Sequence, residues 1–210
     1  NIRKKQYVLP SIQREFVWDT LQIERLFDSL MRDYPISTFL FWKVSKHKIK
    51  DFQFYEFLKH YHEKNARHNN KADISQEEDV IAVLDGQQRI TSIYIALTGS
   101  HAKKMPYYSW SSDKAFPKKH LFLNLLKKAD DIELEYEFRF LSEEEVVNNE
   151  INYGFEVGKI LDYTDLSKVM EYLMMNGLMD TSKYSKEQAS MALNTLNQLF
   201  NVIHQKGSIS

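Results

Sequence analysis

The chain has 210 residues, 28 of them basic and 29 acidic, which gives a formal net charge of −1 at pH 7. Domains that hold DNA unaided are usually strongly basic, so this balance disfavours autonomous DNA binding, although it leaves room for a local basic patch. The absence of cysteine excludes disulfides and cysteine-based zinc or catalytic sites, and it fits a reducing cytoplasm.

The first part of the chain predicts a strand, a helix and a second strand. Pro10 disfavours helix for the residue before it, so residues 7–10 are expected to be extended. Asp19 is a candidate N-cap for a helix whose apolar side chains recur at near-helical spacing until the Tyr34-Pro35 stop. The β-branched and aromatic residues of segment 36–44 then predict a buried strand.

The middle of the chain contains an irregular segment followed by the clearest pattern. Segment 46–78 is interpreted as an insertion, with a helix or a hairpin over about 51–63 and an exposed polar loop over 65–71. Segment 80–84 is then an apolar strand and leads into a turn at Asp85-Gly86. Apolar residues at helical spacing predict a helix from this turn to Gly99.

The second half predicts three further strands and two helices. The strands are expected at residues 121–125, 136–141 and 155–161, and the helices at about 165–176 and 186–204. No internal repeat is visible in the sequence. Together the elements predict an α+β fold, in which a small mixed sheet packs with helices and a helical segment closes the chain.

The turn after strand 80–84 contains the residues best suited to chemistry, which are Asp85, Gly86, Gln87, Gln88 and Arg89. A helix N-terminus offers unpaired backbone N–H groups and a partial positive charge, and so favours an anion. Gly86 permits a sharp bend, the glutamines add amide donors, and Arg89 adds a planar fork suited to phosphate. Asp85 could hold a metal ion or orient a water molecule, and Thr91 or Ser92 could add a hydroxyl.

A purely structural role for the same turn stays open. Asp85 would then cap the helix, while the two glutamines and Arg89 would form its solvated first turn. An arginine in the first turn opposes the helix dipole, and this conflict weakly favours an anionic ligand at the site.

A second block of polar and aromatic residues lies at positions 9–18. Arg14 could reach a phosphate, and Phe16 or Trp18 could supply a stacking face. Trp18 is equally suited to anchor a core beside the helix that follows, and we favour this structural role for it.

The two blocks together resemble one family. The pattern Leu9-Pro10-x-x-Gln13-Arg14-x-x-x-Trp18, with a helix and Tyr34-Pro35-Ile36 after it, precedes Leu84-Asp85-Gly86-Gln87-Gln88-Arg89-Ile90-Thr91. In this order the blocks are similar to the N-terminal domain of GmrSD-type modification-dependent (type IV) restriction endonucleases, which is placed in the ParB/sulfiredoxin-like superfamily. The later predicted strands also suit this family, so the resemblance covers most of the chain.

The resemblance implies a domain that binds and hydrolyses a nucleoside triphosphate with Mg²⁺, in defence against phage DNA. It assigns residues 85–89 to the nucleotide site. The residue chemistry described above adds the hydroxyl of Thr91 to this site and makes Asp85 its expected catalytic and metal-binding residue. The block of Pro10, Gln13 and Arg14 is expected to pack beside that site, with Gln13 and Arg14 contributing to nucleotide binding. Cleavage would belong to a separate nuclease domain, in the full-length chain or in a partner subunit, so that DNA is engaged indirectly. A homo-oligomer is compatible with this arrangement.

The resemblance also suggests a domain division. Residues 1–163 are expected to form a ParB-like nucleotide-binding domain and residues 164–210 a helical extension. This extension is interpreted as truncated, because the family's domain is expected to continue with a segment containing asparagine and glycine. No apolar run approaches the roughly 20 residues that cross a bilayer and no signal peptide opens the chain, so a cytoplasmic protein without membrane contact is expected.

Three further clusters have both a chemical and a structural interpretation. His60 and His62 would point to different faces of a helix, so a solvated helix is favoured over a metal site. For a two-metal nuclease, the acids of segment 130–137 would need a nearby lysine on a strand, but Glu156 and Lys159 do not have the usual Glu-x-Lys spacing. The lysines and aromatic residues of segment 103–110 could stack on single-stranded nucleic acid, but a surface loop partly held by aromatic contacts is favoured.

Two functional hypotheses compete, and a third possibility is a folded but inert fragment. The first hypothesis is a nucleotide-dependent regulator of a restriction nuclease, and its rival is a non-enzymatic module that recognises DNA or a partner protein. Hydrolysis needs a carboxylate near the phosphates, and Asp85 is the only candidate inside the motif. Replacement of Asp85 therefore discriminates between the two hypotheses.

Overall fold

A computed structural model describes residues 6–11, 15–74 and 79–205 of the chain. The chain forms two units, which are built from non-contiguous segments. The first unit comprises Asn1–Asp19 and Ser37–Lys118, and the second comprises Thr20–Ile36 and Lys119–Ser210. The mixture of helices and small sheets confirms the predicted α+β class. In the described part of the chain no helix combines the length and apolarity that a bilayer crossing requires.

A four-stranded sheet forms the centre of the first unit. Its strands are β1 (Tyr7–Pro10), β2 (Leu40–Ser45), β3 (Phe54–Tyr55) and β5 (Asp79–Asp85), in the order β2-β5-β1-β3. β1 and β5 run parallel, whereas β2 pairs with β5 and β3 pairs with β1 in the antiparallel sense. The sheet is therefore mixed, as predicted. Its buried apolar side chains include Val8, Val44, Phe54, Val80 and Ala82.

The segment interpreted as an insertion contributes strands to two sheets. After a 3₁₀ helix at Lys46–Asp51, β3 joins the central sheet, and β4 (His60–His62) pairs in parallel with β6 (Ser100–Ala102). The predicted helix or hairpin over 51–63 is therefore wrong, because β3 and β4 pair with distant partners and not with each other. The polar loop over 65–71 is confirmed, since only isolated bridges interrupt it.

The predicted buried strand over residues 36–44 differs from the structure in two respects. β2 begins only at Leu40, and Ser37 before it has a φ of +73°, which is incompatible with an extended strand. β2 is also an outer strand of its sheet, and Leu40 and Phe41 are 56% and 47% exposed. Apolar composition indicated burial here, but the position of the strand at the sheet edge leaves its first residues at the surface.

The second unit is a three-stranded antiparallel sheet with helices packed on it. Its elements are α1 (Thr20–Met31), β7 (His120–Lys128), β8 (Tyr136–Leu141), β9 (Gly154–Glu156), α3 (Leu166–Met175) and α4 (Lys186–Phe200). The strand order is β8-β7-β9, and α1 packs against β8 while α4 packs against β7. These elements confirm the predicted helices and two of the three predicted strands.

The third predicted strand, over residues 155–161, is only half correct. β9 ends at Glu156, and Val157–Asp162 forms a 3₁₀ helix. Val157 and Ile160 are both fully buried, and their spacing of three residues suits a 3₁₀ helix, in which positions i and i+3 share one face. A short apolar run does not distinguish a strand from a helical turn that buries the same side chains.

The C-terminal helices belong to the second unit together with its sheet. Asp165 caps α3 by accepting a hydrogen bond from the backbone N–H of Ser167, and Ser185 and Gln188 form a capping box at α4. α4 packs on β7 and so shares a core with residues that precede it by about 60 positions or more, and α3 packs on α4. The division into residues 1–163 and 164–210 stays a prediction, with the α4–β7 contact joining residues on both sides of its boundary.

The buried imidazole of His101 in β6 predicts a pH-dependent stability. Burial, together with the nearby charge of Lys103, lowers the pKa of His101 from 6.5 to about 4. The unfolded chain therefore binds a proton between pH 6.5 and 4 that the folded chain resists, and stability falls as the pH is lowered through this window. Between pH 7 and pH 5 we expect a loss of about 2 kcal/mol from this group.

Urea unfolding at both pH values measures this loss. His101→Gln should show a correspondingly smaller pH dependence than the wild type. Equal pH dependence of the wild type and His101→Gln would contradict the assignment.

Candidate functional site

The strand–turn–helix predicted to hold an anion is present. β5 ends at Asp85, and α2 (Gln87–Thr98) begins two residues later and ends before Gly99. Gly86 lies between them with a φ of +84° and occupies the N-cap position of α2. We refer to residues 85–89 as the 85–89 turn.

Asp85 does not cap the helix, so the capping role considered for it is wrong. The cap residue is Gly86, and among the described residues no side chain caps α2. The Asp85 side chain is 68% exposed, and its Oδ2 lies 3.8 Å from Nη2 of Arg89. At this exposure and distance the ion pair contributes little stability, so the carboxylate is available for exchange with a ligand.

Arg89 is held in place by the segment that precedes β2. Its Nη2 donates a hydrogen bond to the carbonyl of Thr38 at 2.8 Å, and its guanidinium lies 4.7 Å from the centroid of the Phe39 ring. The side chain is only 15% exposed. A cation on an aromatic face and a carbonyl is fixed in position, which gives the turn a preset positive charge.

The two glutamines bind backbone groups of neighbouring segments. Gln87 Nε2 donates to the carbonyl of Val83 at 2.9 Å and so ties the first turn of α2 to β5. Gln88 uses both ends of its amide, since Nε2 donates to the Glu15 carbonyl at 2.8 Å and Oε1 accepts from the Val17 N–H at 3.0 Å. Gln88 was predicted to contact phosphate. In the structure its amide binds the backbone of residues 15 and 17 and positions that segment.

The other predicted ligands have mixed outcomes. Thr91 is buried, and its hydroxyl donates to the carbonyl of Gln87 at 2.7 Å. Ser92 is fully buried, and its Oγ has no hydrogen-bond partner among the described residues. Gln13 and Arg14 lie outside the described residues.

The burial of the aromatic residues in the first block differs from the expectation. Phe16 is buried, and its ring packs edge-on against Tyr61 with a centroid distance of 5.7 Å. Trp18, which we favoured as the core anchor, is only partly buried. Because tryptophan is large, it is rarely buried completely, and the sequence alone does not predict its full burial.

Sequence reasoning did not identify an aromatic surface beside the 85–89 turn. The Phe39 ring, on which Arg89 lies, is nearly parallel to the ring of Phe41, with centroids 6.1 Å apart. A register shift in the pairing of β2 with β5 follows Leu40, and such irregularities re-aim side chains near functional sites. The apolar run of 36–44 was the available signal, but it indicated burial.

The two histidines considered as metal ligands lie in β4 and not in a helix. His60 Nδ1 is 3.0 Å from Oγ of Ser100, and the ring of His62 packs 4.8 Å from that of Phe116. Over residues 6–11, 15–74 and 79–205 no group of three or more histidine, aspartate or glutamate side chains could hold a metal ion. The contacts of both histidines are those of structural residues.

Comparisons with known proteins place the chain in a family. Residues 1–207 match the GmrSD restriction endonuclease N-terminal domain. The chain is also similar to an uncharacterized protein of Methanocaldococcus jannaschii, with 31% identity over 132 residues, or 61% of this chain and 20% of that protein. The chain thus spans about a fifth of the length of this relative. It belongs to the family of GmrSD restriction endonuclease N-terminal domains.

Proposed function

We propose that this member of the GmrSD N-terminal domain family binds a nucleoside triphosphate with Mg²⁺ at the 85–89 turn and hydrolyses it. Nucleotide turnover would regulate a nuclease domain that lies elsewhere in the full-length protein or in a partner subunit. The observation that carries the proposal is the cap of α2: a glycine occupies it, and the acid next to it remains exposed.

The electrostatics of the turn suit a triphosphate. A helix N-terminus without a side-chain cap attracts an anion through its backbone N–H groups and its dipole. Arg89 adds a fixed positive charge at the same place, which is unfavourable for the helix alone and favourable once an anion is bound. A bound anion would therefore offset the unfavourable position of Arg89 in the first turn of α2.

The chemistry of Asp85 suits Mg²⁺. This ion is commonly held by one or two carboxylates together with substrate phosphates, and Asp85 supplies one exposed carboxylate beside the proposed phosphate position. Bound Mg²⁺ would neutralise charge that develops on the phosphates. Asp85 would hold the metal ion or orient the attacking water, and Arg89 would attract the phosphate oxygens.

A surface for the base lies in the same unit. Phe41 is 47% exposed, and its ring lies beside that of Phe39 with centroids 6.1 Å apart. An exposed ring next to a phosphate site offers a stacking face that does not depend on the identity of the base. On this proposal a nucleoside triphosphate binds more tightly than inorganic tripolyphosphate.

Thermal unfolding and phosphate release test the proposal together. With millimolar ATP, GTP, CTP or UTP and Mg²⁺, at least one nucleotide should stabilise the chain, by about 2.7 kcal/mol at a hundredfold excess over Kd. Asp85→Asn should retain a nucleotide-dependent stabilisation but lose phosphate release, because the carboxylate is needed for hydrolysis. Asp51→Asn, at another exposed aspartate of the same unit, is the control and should leave both readouts unchanged.

Two results would contradict the proposal. If no nucleotide stabilises the wild type, the turn is not a nucleotide site in this chain. If nucleotides stabilise it equally in the wild type and Asp85→Asn and neither releases phosphate, the domain is a binding module and not a hydrolase.

A further inference from the structure

A second surface feature of the first unit is unrelated to the 85–89 turn. Residues 105–115 form a loop that is closed at its base, where the Met105 N–H donates to the Ala115 carbonyl at 2.7 Å. Ala115 and Phe116 are buried with Ala102 in a small apolar cluster and anchor the loop. We call residues 105–115 the aromatic loop. Loops of this length with joined ends are ordered elements that frequently carry function.

The aromatic loop displays three large rings at the surface. Tyr107 is fully exposed, and Tyr108 and Trp110 are 44% and 51% exposed. Tyr107 has a φ of +67°, an uncommon and costly conformation for a bulky residue. The Trp110 ring packs against the ring of Phe116, at a centroid distance of 5.5 Å. The aromatic loop thus combines a strained backbone position with exposed apolar rings, a combination that is typical of binding surfaces.

The flanks of the aromatic loop are basic, in contrast to the nearly neutral chain. Residues 103–118 contain four lysines and one acid, which are Lys103, Lys104, Lys114, Lys118 and Asp113. Lys104 Nζ lies 5.6 Å from the Trp110 ring centroid. The neighbouring acid Glu63 already accepts from the Lys104 backbone N–H and lies 3.7 Å from Arg67. The local positive charge is therefore not cancelled by that acid.

We infer that the aromatic loop is a binding surface for single-stranded nucleic acid. Exposed rings with interspersed lysines are the combination that such strands require, because bases stack on the rings while the lysines contact phosphates. A duplex keeps its bases stacked on each other, so the rings would have no bases to accept. An acidic peptide would use the lysines but would leave the three rings unexplained.

Fluorescence anisotropy with a labelled oligothymidylate of about 15 nucleotides tests this inference, without nucleotide or Mg²⁺. The affinity of the wild type should fall with salt, and unlabelled duplex should compete poorly. Trp110→Ala and Tyr107→Ala should each weaken binding about tenfold, whereas Trp110→Phe should retain most of it because a ring remains. Binding should also quench tryptophan emission in the wild type and much less in Trp110→Phe.

A matched pair of triple variants separates this surface from general charge. Lys103→Ala/Lys114→Ala/Lys118→Ala should weaken binding. The slope of the logarithm of the binding constant against the logarithm of the salt concentration should become less steep by about 0.7 for each lost phosphate contact. Lys46→Ala/Lys48→Ala/Lys50→Ala removes three exposed lysines from the 3₁₀ helix of the same unit and should change little.

Several results would overturn the inference. These are no binding at low salt, equal loss in the two triple variants, unchanged affinity after removal of either ring, and a duplex that competes as well as the single strand. Circular dichroism of each variant confirms that the fold is retained, so that a loss of binding is assigned to the loop.

Discussion

Replacing Asp28 with alanine is expected to lower the free energy of unfolding by about 3–5 kcal/mol. Asp28 lies in α1 and is 1% exposed. Its Oδ1 accepts the backbone N–H groups of Glu135 and Tyr136 at 2.9 and 2.8 Å, and its Oδ2 lies 3.1 Å from Arg32 Nη1. Alanine would leave two backbone donors at the start of β8 and the Arg32 guanidinium without this acceptor, and unsatisfied buried groups are costly.

Urea unfolding of three variants measures this contribution. Asp28→Asn keeps one oxygen acceptor for the backbone donors but loses the charge, so its cost should be intermediate. Asp131→Ala is the matched control in the same unit, since its carboxylate is 44% exposed and lies 3.6 Å from Arg25. A surface ion pair of this kind should contribute less than about 1 kcal/mol. If Asp28→Ala cost no more than Asp131→Ala, the buried network would not stabilise the unit.

The helices could be predicted from the sequence because their signals are local. The helix from Thr20 to Met31 has an apolar stripe with a proline stop beyond it, and Asp165 and Ser185 lie at the caps where the sequence placed helix starts. β7 and β8 were likewise found from short β-rich runs. In each case the information needed lies within about ten residues of the element.

Pairing and burial could not be predicted in the same way, because they depend on distant partners. Asp28 and Glu24 are acids on an amphipathic helix, where the pattern indicates solvent, yet both are buried. Glu24 accepts the backbone N–H of Phe140 at 2.8 Å, which lies 116 positions away. Similarly, β3 and β4 are too short to be recognised without β1 and β6, to which they pair.

The strand, turn and helix around the candidate site were predicted correctly, but the contacts of its side chains were not. The motif predicted a helix N-terminus after a strand, and this arrangement is present. The glutamines, however, bind the backbone of residues 15, 17 and 83, and the aromatic surface of Phe39 comes from a segment 46 or more positions before the turn. Residue type indicates which groups a side chain can bind, but the fold decides which of them lies within reach.

The last prediction concerns Gly86, which the fold constrains twice. Its φ of +84° is costly for any residue with a Cβ, and a Cβ built there would lie 2.3 Å from Cδ1 of Phe39. Gly86→Ala is therefore expected to destabilise the chain by about 3 kcal/mol, through backbone strain and overpacking together. Because the Phe39 ring lies under Arg89, its displacement should also weaken the nucleotide-dependent stabilisation proposed above.

A second glycine separates the two causes. Gly177 has a φ of +69°, but a Cβ there would meet nothing within 4 Å. Gly177→Ala should therefore lower the free energy of unfolding only through backbone strain, by about 1–2 kcal/mol. Thermal and urea unfolding of both variants, with and without nucleotide, gives the comparison. If Gly86→Ala lost no more stability than Gly177→Ala, the contact with Phe39 would not constrain the turn. If it kept the full nucleotide effect, the Phe39–Arg89 contact would not organise the site. A larger loss at Gly86, accompanied by a weaker nucleotide effect, would show that one glycine sets both the bend of the chain and the position of the charge beside it.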